Sequence, residues 1–276
     1  MASVLRHPDR FRARYGPWAV VTGASSGIGR AAAEALAGAG LHLVLVARRL
    51  DVLDAMAAEM RARHGIDVRT VGADLSTEAG CVAVDAATDG LDVGLLVAAA
   101  GFGTSGAFLD ADIDREMEML DVNCRAVVRA ALHYGRRFAA RGRGGLVLFG
   151  SIVGFQGTPR AAHYAATKAY VQTLAEGLHV ELAPRGVDVL SSAPGPVHTG
   201  FADRAGMRMG RALTPEQVVL PTLDALGRRA TVFPGALTKV LTASLAPLPR
   251  AVRVRIMGAV MGGMTAHAAD APLPPR

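Results

Sequence analysis

The stretch Trp18 to Gly40, "WAVVTGASSGIGRAAAEALAGAG", decides the fold. It opens on an apolar run that ends at glycine and continues with helical composition to a closing glycine, so it reads as a strand followed by a helix. Between the two stand Gly23, Gly27 and Gly29. Glycine at such a turn lets the backbone bend tightly and approach a ligand, while free amides at the helix N-terminus favour an anion. The segment, with Ser25, Ser26 and Ile28, is therefore a candidate pyrophosphate cradle. The plainer reading is a tight turn with no ligand. The loop lacks the Lys-Ser/Thr pair of a nucleotide-hydrolysing P-loop, which argues against phosphoryl transfer.

The same alternation runs on along the chain. "LHLVLVA", "DVRTVGA", "DVGLLVAAAG", "GGLVLFGSI" and "GVDVLSSAPG" read as further strands, and their near-continuous apolar character belongs to a parallel sheet covered on both faces. Of the helices between them, one sets Leu53, Met56, Ala57 and Met60 on a single face. A long helix from Asp112 to Arg141 carries a stripe of Ile113, Met117, Leu120, Cys124, Val127 and Ala131, and another spans Ala161 to Ala183. Thr214, Pro215 and Gln217 form a helix start with a capping box. The pattern predicts an α/β fold, a Rossmann-like doubly wound parallel sheet of about seven strands in a single domain. Residues 1–17 form an N-terminal arm, 18–235 the dinucleotide-binding catalytic domain with a variable substrate lid at about 197–213, and 236–276 a helical extension with a frayed tail.

With 51% hydrophobic residues among 276, the chain can bury a substantial core. A net charge of +6 admits nucleic acid or an anionic membrane as partners. The arginines, however, are scattered, and groups such as "RFRAR" and "RRFAARGR" lack the interleaved aromatics of a base-stacking platform, so no nucleic-acid partner is expected. Cys81 and Cys124 fall in separate helices outside any C-x-x-C pair, which suits a reducing, cytoplasmic setting. The eight histidines show no metal-ligand spacing, and no apolar run is long enough to span a bilayer.

After the second strand the sequence presents Arg48 and Arg49 where a carboxylate would bond ribose hydroxyls. Arginine there complements a 2′-phosphate, and Ser25 and Ser26 add hydroxyl donors, so NADP (NADPH) is expected over NAD. Asp74, followed by Leu75 after the third strand, could accept from an adenine amino group or could cap the next helix. In "HYAATK", Tyr164 and Lys168 share a helix face at i and i+4, and Lys168 is one of only two lysines, with Lys239. An ammonium beside a phenol favours the phenolate and moves tyrosine towards general acid–base work. Ser151, at the end of the fifth strand, can donate to a substrate carbonyl.

"TGASSGIG", Ser151, "YAATK" and "PGPVHT", in this order, resemble the short-chain dehydrogenase/reductase family over roughly Trp18 to Thr199. The resemblance, nearest to bacterial NADP-dependent members akin to steroid and 3-ketoacyl reductases, implies a general acid/base at Tyr164 and a Lys168 that lowers its pKa and holds the nicotinamide ribose. Ser151 would orient the carbonyl, and Asn123 in "LDVNCRA" would keep a water in the proton relay or, more plainly, face solvent. Ala100, Gly101, Pro194, Gly195, Val197 and Thr199 would complete the cofactor site. The function implied is carbonyl–alcohol interconversion on a hydrophobic substrate by a homodimer or homotetramer paired through the two long helices. One departure stands out: family members usually carry Asn-Asn-Ala-Gly where this chain has "AAAG", Ala98 to Gly101. That keeps a non-catalytic dinucleotide-binding sensor or scaffold as the alternative.

Phe201, Met207 and Met209 in the lid could meet an apolar substrate or simply pack. The C-terminal stretch, apolar but bearing Lys239, Arg250, Arg253 and Arg255, could lie on a membrane surface, cover the substrate cleft or join an oligomer. A serine hydrolase is excluded because Phe149 stands where its nucleophile elbow needs glycine.

Overall fold

The computed structural model describes residues 5–207, 210 and 212–265. Helix α1 (Pro8–Tyr15) leads into β1 (Trp18–Thr22), α2 (Gly27–Gly38), β2 (His42–Ala47), α3 (Leu50–His64), β3 (Val68–Gly72), α4 (Glu78–Ala87) and β4 (Val93–Ala98). The second half runs α5 (Ile113–Leu120), α6 (Ala126–Arg141), β5 (Gly144–Phe149), α7 (Ala162–Leu182), β6 (Val187–Ser192), α8 (Phe201–Ala205), α9 (Pro215–Ala225), β7 (Thr231–Val232), α10 (Ala236–Leu245) and α11 (Arg250–Thr265). The seven strands are parallel in the order β3-β2-β1-β4-β5-β6-β7. Strand β7 is only two residues long, too short for any periodicity, and the sequence pattern marked the other six.

Successive strand residues point to opposite faces, and both faces are apolar because both are covered. Ala19, Val21, Leu43, Leu45, Leu95 and Val97 pack with α2, α3 and α9, where Leu36, Leu53, Met60, Val218 and Leu223 are buried. Val20, Val44, Val46, Leu96, Leu146 and Leu148 pack on the other side with Val127, Tyr134 and Phe138 of α6 and Val171 and Ala175 of α7. The capping box expected at Thr214 is present, Thr214 Oγ1 accepting from the Gln217 amide and Gln217 Oε1 from the Thr214 amide.

The helix expected from Asp112 to Arg141 runs unbroken from Ile113 to Arg141 but is not a regular α-helix throughout. A π-helical turn, Asp121–Arg125, separates α5 from α6. Its extra residue shifts the phase of the helix, so the stripe proposed from Ile113 through Leu120 does not join the core. Ile113 and Met117 are exposed, while Glu116 and Met119 are buried in their place; Cys124, Val127 and Ala131 do face inward. Such inserted turns recur at functional sites, and this one holds Asn123.

At the amino ends of the strands, Tyr15 of α1 is buried and its hydroxyl donates to Asp188 Oδ2 at 2.7 Å. Arg14 Nε donates to the same oxygen at 2.6 Å. Asp188 on β6 thus anchors the arm to the sheet. Replacing it leaves a desolvated phenol without its acceptor, so Asp188→Ala should lower stability by about 1–3 kcal/mol in urea unfolding, with the midpoint rather than the slope moving.

Candidate active site

In a doubly wound sheet, ligands bind beyond the carboxyl ends of the strands where the strand order reverses. Here that point lies between β1 and β4, paired with Thr22 beside Ala98. The loops leaving the two strands run so close that they constrain each other's composition. Gly23 has φ +67°, and a Cβ on it would stand 2.8 Å from the Ala100 backbone. Only glycine fits there. The Ala100 amide donates to Thr22 Oγ1 at 3.1 Å, tying the second loop to the first strand.

Two connected clefts open at this edge. The first, about 480 Å³, is the more polar of the two and is lined by Gly23, Ser25, Ser26, Gly27, Gly29, Arg48, Arg49, Asp74, Leu75 and Ala100. The first turn of α2 carries no acidic residue to compete for its amides. Arg49 reaches over the glycine loop, its Nη2 donating to Ser25 Oγ at 3.0 Å, while Arg48 pairs with Glu118 at 3.2 Å. Both arginines line the cleft, Arg49 bonded to Ser25 of the glycine loop and Arg48 to Glu118. Burial works to raise the Asp74 pKa, but hydrogen bonds from the Ser76 amide and hydroxyl, with Arg48 nearby, outweigh it and leave the carboxyl below its ordinary value. The cap of α4 is Thr77, which accepts from the Gly80 amide, so the capping alternative for Asp74 is not realised. Asp74 closes a local turn through Oδ1 alone.

The second cleft, about 520 Å³, is apolar and shares Ile28, Gly101 and Thr199 with the first. Ser151, Tyr164 and Lys168 line it, together with Pro194, Gly195 and Val197. Ser151 lies just past β5, where its Oγ accepts from the Val153 amide at 3.4 Å and starts a short 3₁₀ turn. The Tyr164 ring packs against Phe201 of α8 at 5.3 Å between centroids. Gly103 makes this contact feasible: a Cβ there would meet Phe201 Cζ at 2.6 Å and Tyr164 Cδ2 at 3.0 Å. Met207 joins the same wall, whereas Met209 lies outside the described residues.

The electrostatics correct the expectation drawn from spacing alone. Lys168 lies 5.8 Å from the Tyr164 ring centroid, and its Nζ donates to the Phe149 carbonyl at 2.9 Å rather than to the phenol. In the free protein burial dominates, pushing the Tyr164 pKa up, with the Ser151 hydroxyl acting weakly the other way. Burial likewise pushes the Lys168 pKa down to about 8, opposed in part by Cys124. The ammonium is thus poised rather than permanently charged, and the phenol is held neutral.

Of the candidate catalytic and cofactor-binding residues, only Asn123 lines neither cleft. It is buried behind the loop after β4, where Nδ2 donates to the Phe102 carbonyl at 2.9 Å and to Thr167 Oγ1 at 3.0 Å. Its Oδ1 accepts from the Phe102 amide at 3.1 Å. It therefore stitches that loop to α7, and with Thr22 it braces the segment Ala98 to Gly101 in which the expected asparagines are replaced by alanine.

Sequence reasoning left open what the C-terminal stretch does. The structure lays α10 and α11 over the apolar cleft, contributing Leu241, Leu245, Met257, Met261 and Met264. None of the described helices is long and apolar enough to cross a membrane. Glu118, Val122 and Phe102 in the polar cleft were also missed, because only the tertiary contact of α5 with the β4 loop brings them there.

The family model of the short-chain dehydrogenases matches residues 17–209. The chain belongs to the short-chain dehydrogenase family. A 7beta-hydroxysteroid dehydrogenase of Collinsella aerofaciens is 32% identical over 241 residues, covering 83% of this chain and 89% of that one. A solved 7beta-hydroxysteroid dehydrogenase structure superposes with TM-score 0.83 at 30% identity, over 90% of this chain and 98% of the other. A short-chain dehydrogenase from Sphingobium yanoikuyae, solved in complex with NADPH, gives TM-score 0.78 at 30% identity, over 95% and 98%. This short-chain dehydrogenase is an oxidoreductase that interconverts carbonyl and alcohol, acting on the CH–OH group.

The depressed Lys168 pKa makes a thermodynamic prediction for the free enzyme. The folded state holds fewer protons than the unfolded one between about pH 8 and the ordinary lysine value of 10.5, so burial of this group costs most below that window and nothing above it. The melting temperature of the wild type relative to Lys168→Met should therefore move in the wild type's favour as pH rises from 8 to 10.5, as read by calorimetry.

Proposed function

We propose that the enzyme is an NADP(H)-dependent reductase and dehydrogenase that interconverts a ketone or aldehyde and its alcohol on a hydrophobic substrate, with Tyr164 as general acid/base. The observation that carries this reading is the pairing of clefts. A polar one carries Arg48, Arg49 and Ser25, and it opens into an apolar one in which Tyr164 and Ser151 present their hydroxyls. The glycine cradle, the unopposed N-terminus of α2 and the two guanidiniums fit a dinucleotide that carries a 2′-phosphate. The NADPH complex of the Sphingobium relative supports the same choice.

When bound, the nicotinamide supplies or accepts the hydride. The protein's own part is proton management. Tyr164 gives its proton to the carbonyl oxygen in reduction and recovers it in oxidation, while Ser151 donates to the same oxygen and sets its direction. A phenol held neutral by burial is in the right state to donate. Lys168, still mostly an ammonium at pH 7 with its pKa lowered to about 8, would hold the nicotinamide ribose and would stabilise the phenolate left behind. Asn123 keeps the Gly101–Phe102 edge and α7 in register, as a positioning residue. The apolar lining, with leucines from α10 and methionines from α11 and the lid, supports a bulky apolar substrate, the kind named by the hydroxysteroid relatives.

Tyr164→Phe should lower kcat by about 10²–10⁴-fold while NADPH binding, followed by fluorescence titration, stays near wild type. Lys168→Ala should damage both. Wild-type rates in Tyr164→Phe would remove the mechanism. For the cofactor, Arg49→Ala should reduce the ratio of kcat/KM for NADPH over NADH by about tenfold or more, since it removes a charge-assisted phosphate contact. A wild-type preference for NADH would overturn the assignment.

A further inference from the structure

Among the described residues two charged side chains are buried, Lys168 and Glu116. Lys168 belongs to the proton chemistry. Glu116 lies on α5 and lines neither cleft, and carbonyl reduction as described makes no use of it. Its carboxylate meets a single side chain: Oε2 stands 2.6 Å from Nδ1 of His163, the residue that precedes Tyr164. Taking a carboxylate and an imidazole out of water gives little net stability, because apolar side chains of the same volume would serve as well. Stability alone therefore does not account for the pair.

The helix that Glu116 reaches is weakly started. Helix α7 begins at Ala162, and Ala161 at its cap position offers no side-chain acceptor; the first turn carries no acidic residue either. Ser, Thr, Asp or Asn at that position ordinarily holds the first free amides. Just before it, Arg160 has φ +66°, the one non-glycine residue with positive φ among the described residues. That conformation is unfavourable for a residue with a Cβ and persists only where neighbours hold it. The Arg160 carbonyl accepts from the Gly106 amide at 2.8 Å, and Arg160 Nη1 donates to Thr265 Oγ1 of α11 at 3.3 Å. Those contacts fix the entry to the helix. Within the first turn itself, where Tyr164 stands, the side-chain hydrogen bond that reaches another helix is that of His163 with Glu116. A carboxylate at this turn also suits the free amides of a helix N-terminus, which an imidazolium alone would oppose.

We infer that Glu116 and His163 act as one positioning pair, a staple from α5 that holds the first turn of α7 and so fixes the Tyr164 hydroxyl where it exchanges its proton with the substrate oxygen. This rests on the reading of Tyr164 as general acid/base. The π turn at Asp121–Arg125 serves the same end, since it sets the phase of α5 that turns Glu116 inward while Ile113 and Met117 face solvent. A misplacement of about 1 Å at a reacting group can cost about 10²-fold in rate, and a contact that matters only in the transition state lowers kcat without raising KM.

Two measurements test the pair. In steady-state reduction of an oxosteroid, Glu116→Ala and His163→Ala should each lower kcat by about ten- to a hundredfold, with KM and NADPH affinity near wild type. The double variant should fall no further than either single one, because the two groups make one contact. His163→Asn, whose amide nitrogen can take the place of Nδ1, should recover most of the rate, and Glu116→Gln, a neutral acceptor, part of it. Asp188→Ala, which weakens the fold at the opposite end of the sheet, should keep the wild-type kcat. Where an alanine variant does not fold, Glu116→Met keeps the buried volume without the acceptor and should lose the same rate. Wild-type kcat in Glu116→Ala or His163→Ala, an additive loss in the double variant, or a change confined to KM overturns the inference.

The second measurement needs no substrate. Amide hydrogen exchange over Ala165 to Lys168, followed by mass spectrometry, should quicken by about tenfold or more in Glu116→Ala as the first turn opens more readily. Unchanged exchange there overturns the staple. Tyr164→Phe separates the two claims: wild-type turnover in that variant removes the general-acid reading and with it the staple's part in catalysis, whereas lost turnover there beside wild-type kcat in Glu116→Ala removes the staple's part alone.

Discussion

Everything at this site depends on the parallel pairing of β1 with β4, which sets Thr22 beside Ala98 at the point where the sheet reverses its order. That register forces two loops to leave the sheet side by side. It requires a residue without Cβ at Gly23, and it places Thr22 Oγ1 where it accepts from the Ala100 amide. The crevice between those loops is where the two clefts meet. The loop in which Ala98 and Ala99 stand for the expected asparagines is held by other groups. Thr22 holds one amide, and Asn123 takes both the amide and the carbonyl of Phe102.

Burial then sets the chemistry. The same packing that gives the second cleft its apolar walls raises the Tyr164 pKa and lowers that of Lys168. In the free protein the two do not form the simple phenol–ammonium pair that their spacing suggests, because Lys168 is held by the Phe149 carbonyl. The spacing of four residues puts the groups on one helix face; whether the charge of one reaches the hydroxyl of the other depends on what else offers a hydrogen bond. A low-dielectric site makes each of these choices weigh more than it would in water.

The two clefts divide recognition between them. The polar one is built on glycines, a helix N-terminus and two arginines, all contributed by the first half of the chain. The apolar one draws much of its wall from α8, α10 and α11, elements that follow β6 in the chain. Similarity to hydroxysteroid dehydrogenases extends over most of the chain, yet the family model ends at residue 209, before α10 and α11 begin.

The alternation of apolar strands with amphipathic helices, the glycines after β1, the two arginines after β2 and the Tyr164–Lys168 spacing were all legible in the sequence. Each is a local pattern, imposed by backbone geometry over a few residues, and so each survives without knowledge of the fold. Tertiary structure alone decided the rest. The π turn at Asp121–Arg125 leaves no mark on composition but rotates the helix enough to expose Ile113 and Met117 and bury Glu116 and Met119. Asn123 was legible as a polar residue in a helix, not as a clamp, because its partners Phe102 and Thr167 are distant in the chain. The C-terminal helices read equally well as a membrane face or a cleft cover, since hydropathy records how apolar a surface is and not what it meets. Docking α11 onto the Pro159–Arg160 loop turned it towards the cleft and made Arg253 part of its wall, a long-range contact that no local spacing can specify.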